Sequence, residues 1–266
     1  MEPNEIASEM QRTYDQYFQS ESYRHRYPRP NAATLAYLIR NGACEAGRIL
    51  DFGCGNGRYS LALLAHSRAL VTAYDISLAS LLEFDRSLNE TPYRDRVTFV
   101  HDDLFGLGPA SSCDLILMLF GVLSHLGDRA TRIKALSRLR GLIREDGRLV
   151  LSVPSIYRRR PWELVKCALA RRLGRAQPPL NEGGNIYFMR HAYGHRLTFF
   201  YHLYTLEDLR ADLAAAGFAI QHCEAESILP ESWVTRSDFL ARLDAHLSAW
   251  ISPALGYGIR VLAVPT

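Results

Sequence analysis

Ile49-Leu50-Asp51-Phe52-Gly53-Cys54-Gly55-Asn56-Gly57-Arg58 is a short apolar run that breaks into glycines at alternate positions. Continuous apolar runs of this length suit a buried parallel strand, which is covered on both faces. A glycine-rich break directly after one reads as a strand-to-helix turn where backbone can approach a ligand. The pattern is G-x-G-x-G. Arg58 stands where the dinucleotide fingerprint G-x-G-x-x-G needs its third glycine, so that fingerprint fails.

Working outward, apolar runs and helical stripes alternate. Residues 60–66 read as helix, 69–76 as strand, 78–89 as helix and 97–100 as strand. Residues 114–120 form the most apolar strand. Ile133, Leu136, Leu139 and Leu142 then make a helical stripe that the turn Glu145-Asp146-Gly147 closes before a strand at 149–153. Thr205 caps a helix ended by Gly217, and residues 219–223 and 259–264 are the last strands. Such alternation predicts a doubly wound α/β sheet, with ligands at the carboxyl ends of its strands. Residues 1–47 are expected to form lid helices. Residues 48–154 and 205–266 should form the core, and 155–204 an inserted cap.

Composition narrows the class. The 266 residues are 48% hydrophobic and 22% charged, as in an ordinary globular chain. No apolar run approaches the roughly 18 to 20 residues of a membrane span, and the acidic start MEPNEIASEM has no signal-peptide character. Cys44, Cys54, Cys113, Cys167 and Cys223 form no C-x-x-C pair, which fits a reducing cytoplasmic setting better than a disulfide or zinc framework. The net charge is +3, yet residues 157–196 hold nine basic against two acidic side chains, a local +7. That block suits a solvated surface, an anionic small substrate or a nucleic-acid backbone.

In that order, LDFGCGNG, AYDIS, HDDL and CDLILMLFGVLSHL resemble the class I S-adenosylmethionine-dependent methyltransferases. The resemblance covers roughly residues 1–154 and resumes at 205–220. It implies a Rossmann-like sheet of seven strands with an antiparallel last strand, and S-adenosyl-L-methionine as cofactor. By the family's pattern Asp51, Gly53, Gly55 and Gly57 would cradle the methionine part, and Asp75, followed by Ile76, would hold the ribose. Asp103 would hold the adenine amine with Leu104 flanking the ring, and Leu119-Phe120-Gly121 would lie beside the sulfonium. Tyr14-Asp15-Gln16-Tyr17 is similar to a lid-helix segment of many small-molecule methyltransferases. Tyr17 and Arg26 join the cofactor set, Arg26 as partner of the methionine carboxylate.

The acceptor side is less defined, because in-line methyl transfer needs a base only where the acceptor must lose a proton. His125 and His202 are the candidate catalytic residues. A hairpin turning at Tyr193-Gly194 would carry Tyr187, His191, His195 and Tyr201 to the substrate. Period-two alternation puts Tyr201 and His202 on opposite faces, and His202 is preferred as the proton acceptor. No carboxylate or cysteine completes a metal site with His191, His195 and His202, so no metal is expected. Three functions follow: methyl transfer to an oxygen or nitrogen of a small metabolite, methyl transfer to tRNA, and non-catalytic binding. The tRNA reading rests on the basic block and on Phe200-Tyr201-His202-Leu203-Tyr204, similar to the close of wobble-uridine carboxymethyl methyltransferases. Oligomeric state is not readable from the chain.

Overall fold

The computed structural model describes residues 3–102, 107, 110, 112–192 and 194–266, without the side chains of 3, 4 and 195. Asp103, Leu104 and Tyr193 therefore lie outside the described residues. Helices α1 (Pro3–Gln19), α2 (Ser22–Arg26) and α3 (Ala32–Arg40) precede strand β1 (Arg48–Phe52). Then come α4 (Arg58–Leu64), β2 (Leu70–Asp75), α5 (Leu78–Asn89), β3 (Val97–His101), β4 (Cys113–Met118), α6 (Arg129–Leu142) and β5 (Ile143–Pro154). Helix α7 (Pro161–Arg172) leads into the hairpin β6 (Asn185–Ala192) and β7 (His195–His202). The chain ends with α8 (Leu206–Ala215), β8 (Phe218–Ser227), α9 (Glu231–Val234), α10 (Asp238–Ser248) and β9 (Gly258–Pro265).

The main sheet has seven strands in the order β3-β2-β1-β4-β5-β9-β8. β9, the last in the chain, pairs antiparallel with both neighbours, and the pairings from β3 to β5 are parallel. The expected Rossmann-like seven-stranded sheet is present. Alternation explains why the strands read as continuous apolar runs. Leu50, Ile116 and Met118 face one core with Leu136, Leu139 and Leu142 of α6, whereas Ile49, Leu115 and Leu117 face a second core with Leu63 and Phe84 of α4 and α5. Ser77, Asp128 and Thr205 each accept a backbone N–H and cap α5, α6 and α8.

One local expectation is corrected. Glu145-Asp146-Gly147 does not separate helix from strand; it lies within β5. Cys113 pairs with Ile143 but Leu115 with Arg148, so residues 144–147 bulge out before the parallel ladder resumes. Strand order reverses between β1 and β4, so their carboxyl ends frame the crevice where ligands bind in such sheets. The hairpin β6–β7 forms a separate two-stranded sheet over that end of the molecule. Its Phe188, Phe199 and Tyr201 pack against Tyr17, Phe18, Tyr23 and Tyr27 of the N-terminal segment.

Candidate functional site

The turn after β1 begins with the amides of Gly53 and Cys54, which donate to the Tyr74 carbonyl at 2.8 and 3.0 Å and tie β1 to β2. Two of its glycines serve different ends. A Cβ at Gly57 (φ +71°) would lie 2.3 Å from the Phe84 ring, so this glycine is demanded by packing. At Gly55 (φ +55°) the nearest atoms are Phe18 Cζ at 3.4 Å and the Tyr23 hydroxyl at 3.9 Å, both from the N-terminal helices. Gly55 thus faces the crevice and the segment that covers it.

Two carboxylates are buried beside the turn. Asp51, 4% exposed, accepts from Ser60 Oγ at 2.6 Å. Burial pushes its pKa up to about 6 in spite of that bond, and the charge of Asp75 adds to the rise. Asp75, 8% exposed, accepts from the Gly55 amide through Oδ2 and from the Ser77 amide through Oδ1, both at 2.8 Å. Burial raises its pKa as well. Neither forms an ion pair with a described residue. Ile76 is half-buried beside Asp75, and its carbonyl accepts from His101 Nε2 at 3.1 Å. Across the crevice Leu119 is buried, and Phe120 adopts φ +62°, a left-handed conformation costly for a bulky residue. The Phe120 amide donates to Ser152 Oγ at 2.8 Å, and its ring lies against Tyr27 and the Arg58 guanidinium.

Helix α1 covers this crevice, and Tyr14, Asp15 and Tyr17 of its motif each dock a different element. Tyr14 donates to His125 Nε2 at 2.7 Å. Asp15 accepts from Ser77 Oγ at 2.7 Å, and Tyr17 accepts from Arg190 at 2.9 Å. Tyr17 is buried between α1 and the hairpin. Arg26 is half-buried and donates from Nε to the Tyr27 hydroxyl at 3.1 Å.

The two candidate catalytic histidines are both engaged elsewhere. His125 Nδ1 lies 2.8 Å from the Phe200 carbonyl, which can only accept, so Nδ1 carries the proton and Nε2 accepts from Tyr14. Burial lowers its pKa to about 3. His125 pins α1 to β7 and has no free lone pair, which corrects its assignment as a base. His202 is on the opposite face of β7 from Tyr201, as alternation requires. It borders a cleft with Arg129, Arg132 and Asp212 of α6 and α8 that includes no residue of the glycine turn. His202 thus borders a space apart from the glycine turn, contrary to the expectation for it, whereas Tyr201 borders the small cavity at the carboxyl ends of β4 and β5. Tyr187 donates to Glu9 of α1 at 3.1 Å, outside the crevice, and His191 is exposed near the hairpin tip. Neither is placed to bind substrate at the crevice. The His195 side chain lies outside the described residues.

A small cavity of about 20 Å³, room for about one water molecule, sits at the carboxyl ends of β4 and β5. Phe120, Tyr201, Arg159, Glu226 and Tyr257 are among its walls. Arg159 stacks over Tyr257 with its guanidinium carbon 4.2 Å from the ring centroid. Burial first, then the charge of Glu231, raises the pKa of Glu226 to about 7. Glu231 is itself buried and accepts from Asn31 at 2.9 Å and Arg58 at 3.2 Å. No local motif marks Glu226 or Arg159; they meet only because β8 and the segment after β5 end at the same place.

Of the nine basic side chains in residues 157–196, Arg159, Arg160, Arg171 and Arg190 are half-buried, whereas Arg158, Lys166, Arg172, Arg175 and Arg196 are exposed. Arg158 donates to the Ile228 carbonyl, and Arg160 pairs with Glu163 over the Phe188 ring. Arg171 donates to the Leu180 and Glu182 carbonyls, and Arg190 to Tyr17.

Residues 23–223 match the family model described as a methyltransferase domain. A Geobacillus sp. (strain WCH70) protein that bears a methyltransferase name is 31% identical over 121 residues, 46% of this chain. The match spans about half, 48%, of that relative's length. The structure is similar to that of an S-adenosylmethionine-dependent methyltransferase from Methanosarcina mazei (20% identity, TM-score 0.60, 86% of this chain and 96% of that one). It is also similar to 1,6-didemethyltoxoflavin-N1-methyltransferase of Burkholderia thailandensis (21% identity, TM-score 0.59, 100% and 91%), solved with 1,6-didemethyltoxoflavin and S-adenosylhomocysteine. At these identities the likeness concerns the fold.

Proposed function

The chain belongs to the methyltransferase-domain family, and from that premise we propose that it transfers a methyl group from S-adenosylmethionine to an oxygen or nitrogen of a small molecule. The observation that carries this reading is the pair Asp51 and Asp75. Two carboxylates are buried at a glycine turn, at the switch in strand order, with no described cation paired to them. Burying such groups is costly unless a ligand answers them. A cationic ligand that also bears hydroxyls answers both, and S-adenosylmethionine is one.

Asp51 would hold the ammonium of the methionine part and Asp75 the ribose hydroxyls, with Gly55 leaving room for close approach. Arg26 would pair with the carboxylate. Asp103 and Leu104 keep the adenine roles that the family resemblance implies. Entry requires Phe18 and Tyr23 to withdraw from Gly55, which makes residues 1–47 the lid and 155–204 the cap over a core of 48–154 and 205–266. When bound, the cofactor supplies a methyl group on a sulfonium, an activated carbon for in-line displacement. The chain's part is to orient the acceptor and exclude water. Glu226, with its raised pKa, is suited to take the acceptor's proton near neutrality, and Arg159 and Tyr201 to orient it.

A small acceptor is favoured over tRNA because Arg160, Arg171 and Arg190 of the basic block are half-buried and engaged by Glu163, by backbone carbonyls and by Tyr17 rather than held free for a phosphate backbone. The bound small molecule of the Burkholderia enzyme agrees with that choice. No described helix is long and apolar enough to cross a membrane. Calorimetric titration with S-adenosylmethionine tests the cofactor assignment. Asp75→Asn should weaken binding by about 10- to 100-fold, in line with 1.5 to 3 kcal/mol for a charged hydrogen bond. Unchanged affinity in a folded variant would overturn it.

A further inference from the structure

The cleft that His202 borders has a volume of about 590 Å³ and lies between α7 on one side and α6, β7 and α8 on the other. It is separate from the glycine turn and from the Glu226 cavity, with no residue in common with either. Its polar wall holds three arginines, Arg129, Arg132 and Arg171, and three carboxylates, Glu182, Asp208 and Asp212, whose charges cancel. Most are paired: Arg129 meets Asp212 at 2.7 Å, and Arg132 bridges Glu182 and Asp212. The other wall is apolar, formed by Ile156 with Leu164, Val165 and Ala168 of α7.

Within the polar wall the buried His202 Nε2 has no hydrogen-bond partner, whereas Arg132 Nε lies 3.6 Å from Asp212 Oδ2 in their ion pair. The residues are 3% and 1% exposed. The protonation of His202 follows from its neighbours. Asn185 Nδ2 donates to the Pro179 carbonyl at 2.7 Å, which fixes the amide orientation, so Asn185 Oδ1 is the atom 2.7 Å from His202 Nδ1. Oδ1 can only accept, hence Nδ1 carries the proton and Nε2 is a bare lone pair. Burial, then the charge of Arg132, lowers the pKa to about 2, so the ring stays neutral at ordinary pH. A buried acceptor left open in one wall, opposite an apolar wall, defines a complementary ligand.

We propose that this cleft is a second small-molecule site, taking a neutral molecule with an apolar ring and a hydroxyl that donates to His202 Nε2. An ionised ligand suits it poorly, because the surrounding charges already balance. Since His202 and Tyr201 are neighbours on β7, the site backs directly onto the strand whose other face borders the Glu226 cavity.

Phenol and anisole separate this reading from plain apolar binding, because they share a ring and only phenol carries a donor hydroxyl. In protein labelled with ¹⁵N-histidine, phenol should shift the His202 Nε2 resonance saturably toward the hydrogen-bonded position. Anisole should not. Ala168→Trp, on the α7 wall, should abolish the phenol response while leaving S-adenosylmethionine affinity unchanged. The proposal is overturned if both probes or neither shift the resonance, if Ala168→Trp leaves the response intact, or if Nε2 is already hydrogen-bonded before phenol is added, which would mean that water fills the place. Failure here leaves the methyl-transfer reading intact, since that reading is tested at Asp75.

Discussion

The glycine turn after β1 and the hairpin β6–β7 both pack against the N-terminal helices, yet they encode their roles in different ways. At the turn, backbone conformation is the constraint. Gly57 carries a positive φ and sits where any Cβ would enter the Phe84 ring, so the residue type itself reports the geometry. In the hairpin the backbone is ordinary, and what matters is which face of the strand each side chain occupies. Tyr201 and His202 differ by one position and border two different spaces. Constraint written into the backbone survives in residue identity, whereas constraint set by facing depends on what packs against the strand.

Disturbing the turn should give the largest effect. Gly57→Ala combines an overpacked contact with left-handed strain, each worth about 1 to 3 kcal/mol. Urea denaturation should therefore show a loss of about 2 to 6 kcal/mol. Gly55→Ala should lose only the strain share, about 1 to 3 kcal/mol, because its φ is also left-handed but its Cβ would meet Phe18 at 3.4 Å and the Tyr23 hydroxyl at 3.9 Å in ordinary contact. Equal losses at the two glycines would erase the distinction between a packing glycine and a crevice glycine.

At the small cavity, Glu226→Gln should lower the methyl-transfer rate about a hundredfold, at the low end of general-base effects. With an acceptor found by screening small hydroxyl and amine compounds for S-adenosylhomocysteine release, cofactor affinity should stay constant. A normal rate would leave orientation by Arg159 and Tyr201 as the main contribution of the cap.

The smallest effect concerns the pin between α1 and the hairpin. His125 is held neutral in the folded protein, its pKa lowered to about 3 by burial, against about 6.5 in an unfolded chain. The unfolded state therefore binds a proton that the folded state refuses. The stability associated with His125 is complete above pH 6.5 and falls as the pH drops toward 3, by up to about 1.4 kcal/mol per pH unit. Asp51 and Glu226, with raised pKa values, act in the opposite direction over part of that range. The informative measurement is hence the difference between wild type and His125→Gln in denaturation at pH 7 and pH 5. A difference independent of pH would show that His125 titrates freely and does not lock the lid.

Much of the core was legible from residue order alone. Apolar runs of strand length, the cap at Thr205 and the stripe from Ile133 to Leu142 report local hydrogen bonding and burial, which act over a few residues. So do the glycines, and Asp75 at the end of β2. The bulge at 144–147 was not legible, because turn residues look alike whether they end a strand or interrupt its ladder. The histidines misled for a related reason. An imidazole in a strand beside tyrosines suits a base and a pin equally well, and the Phe200 carbonyl that decides for His125 is 75 positions away.

By itself, then, the order of residues determined the doubly wound sheet, the glycine turn after its first strand and the carboxylates beside that turn, since each depends on short-range backbone geometry and on periodic burial. Tertiary structure alone decided that Glu226 and Arg159 share a cavity, that Tyr14 locks onto His125, and that His202 turns away to a cleft of its own. Those outcomes depend on contacts between segments far apart in the chain, where packing and desolvation, absent from any local pattern, select one facing over the other.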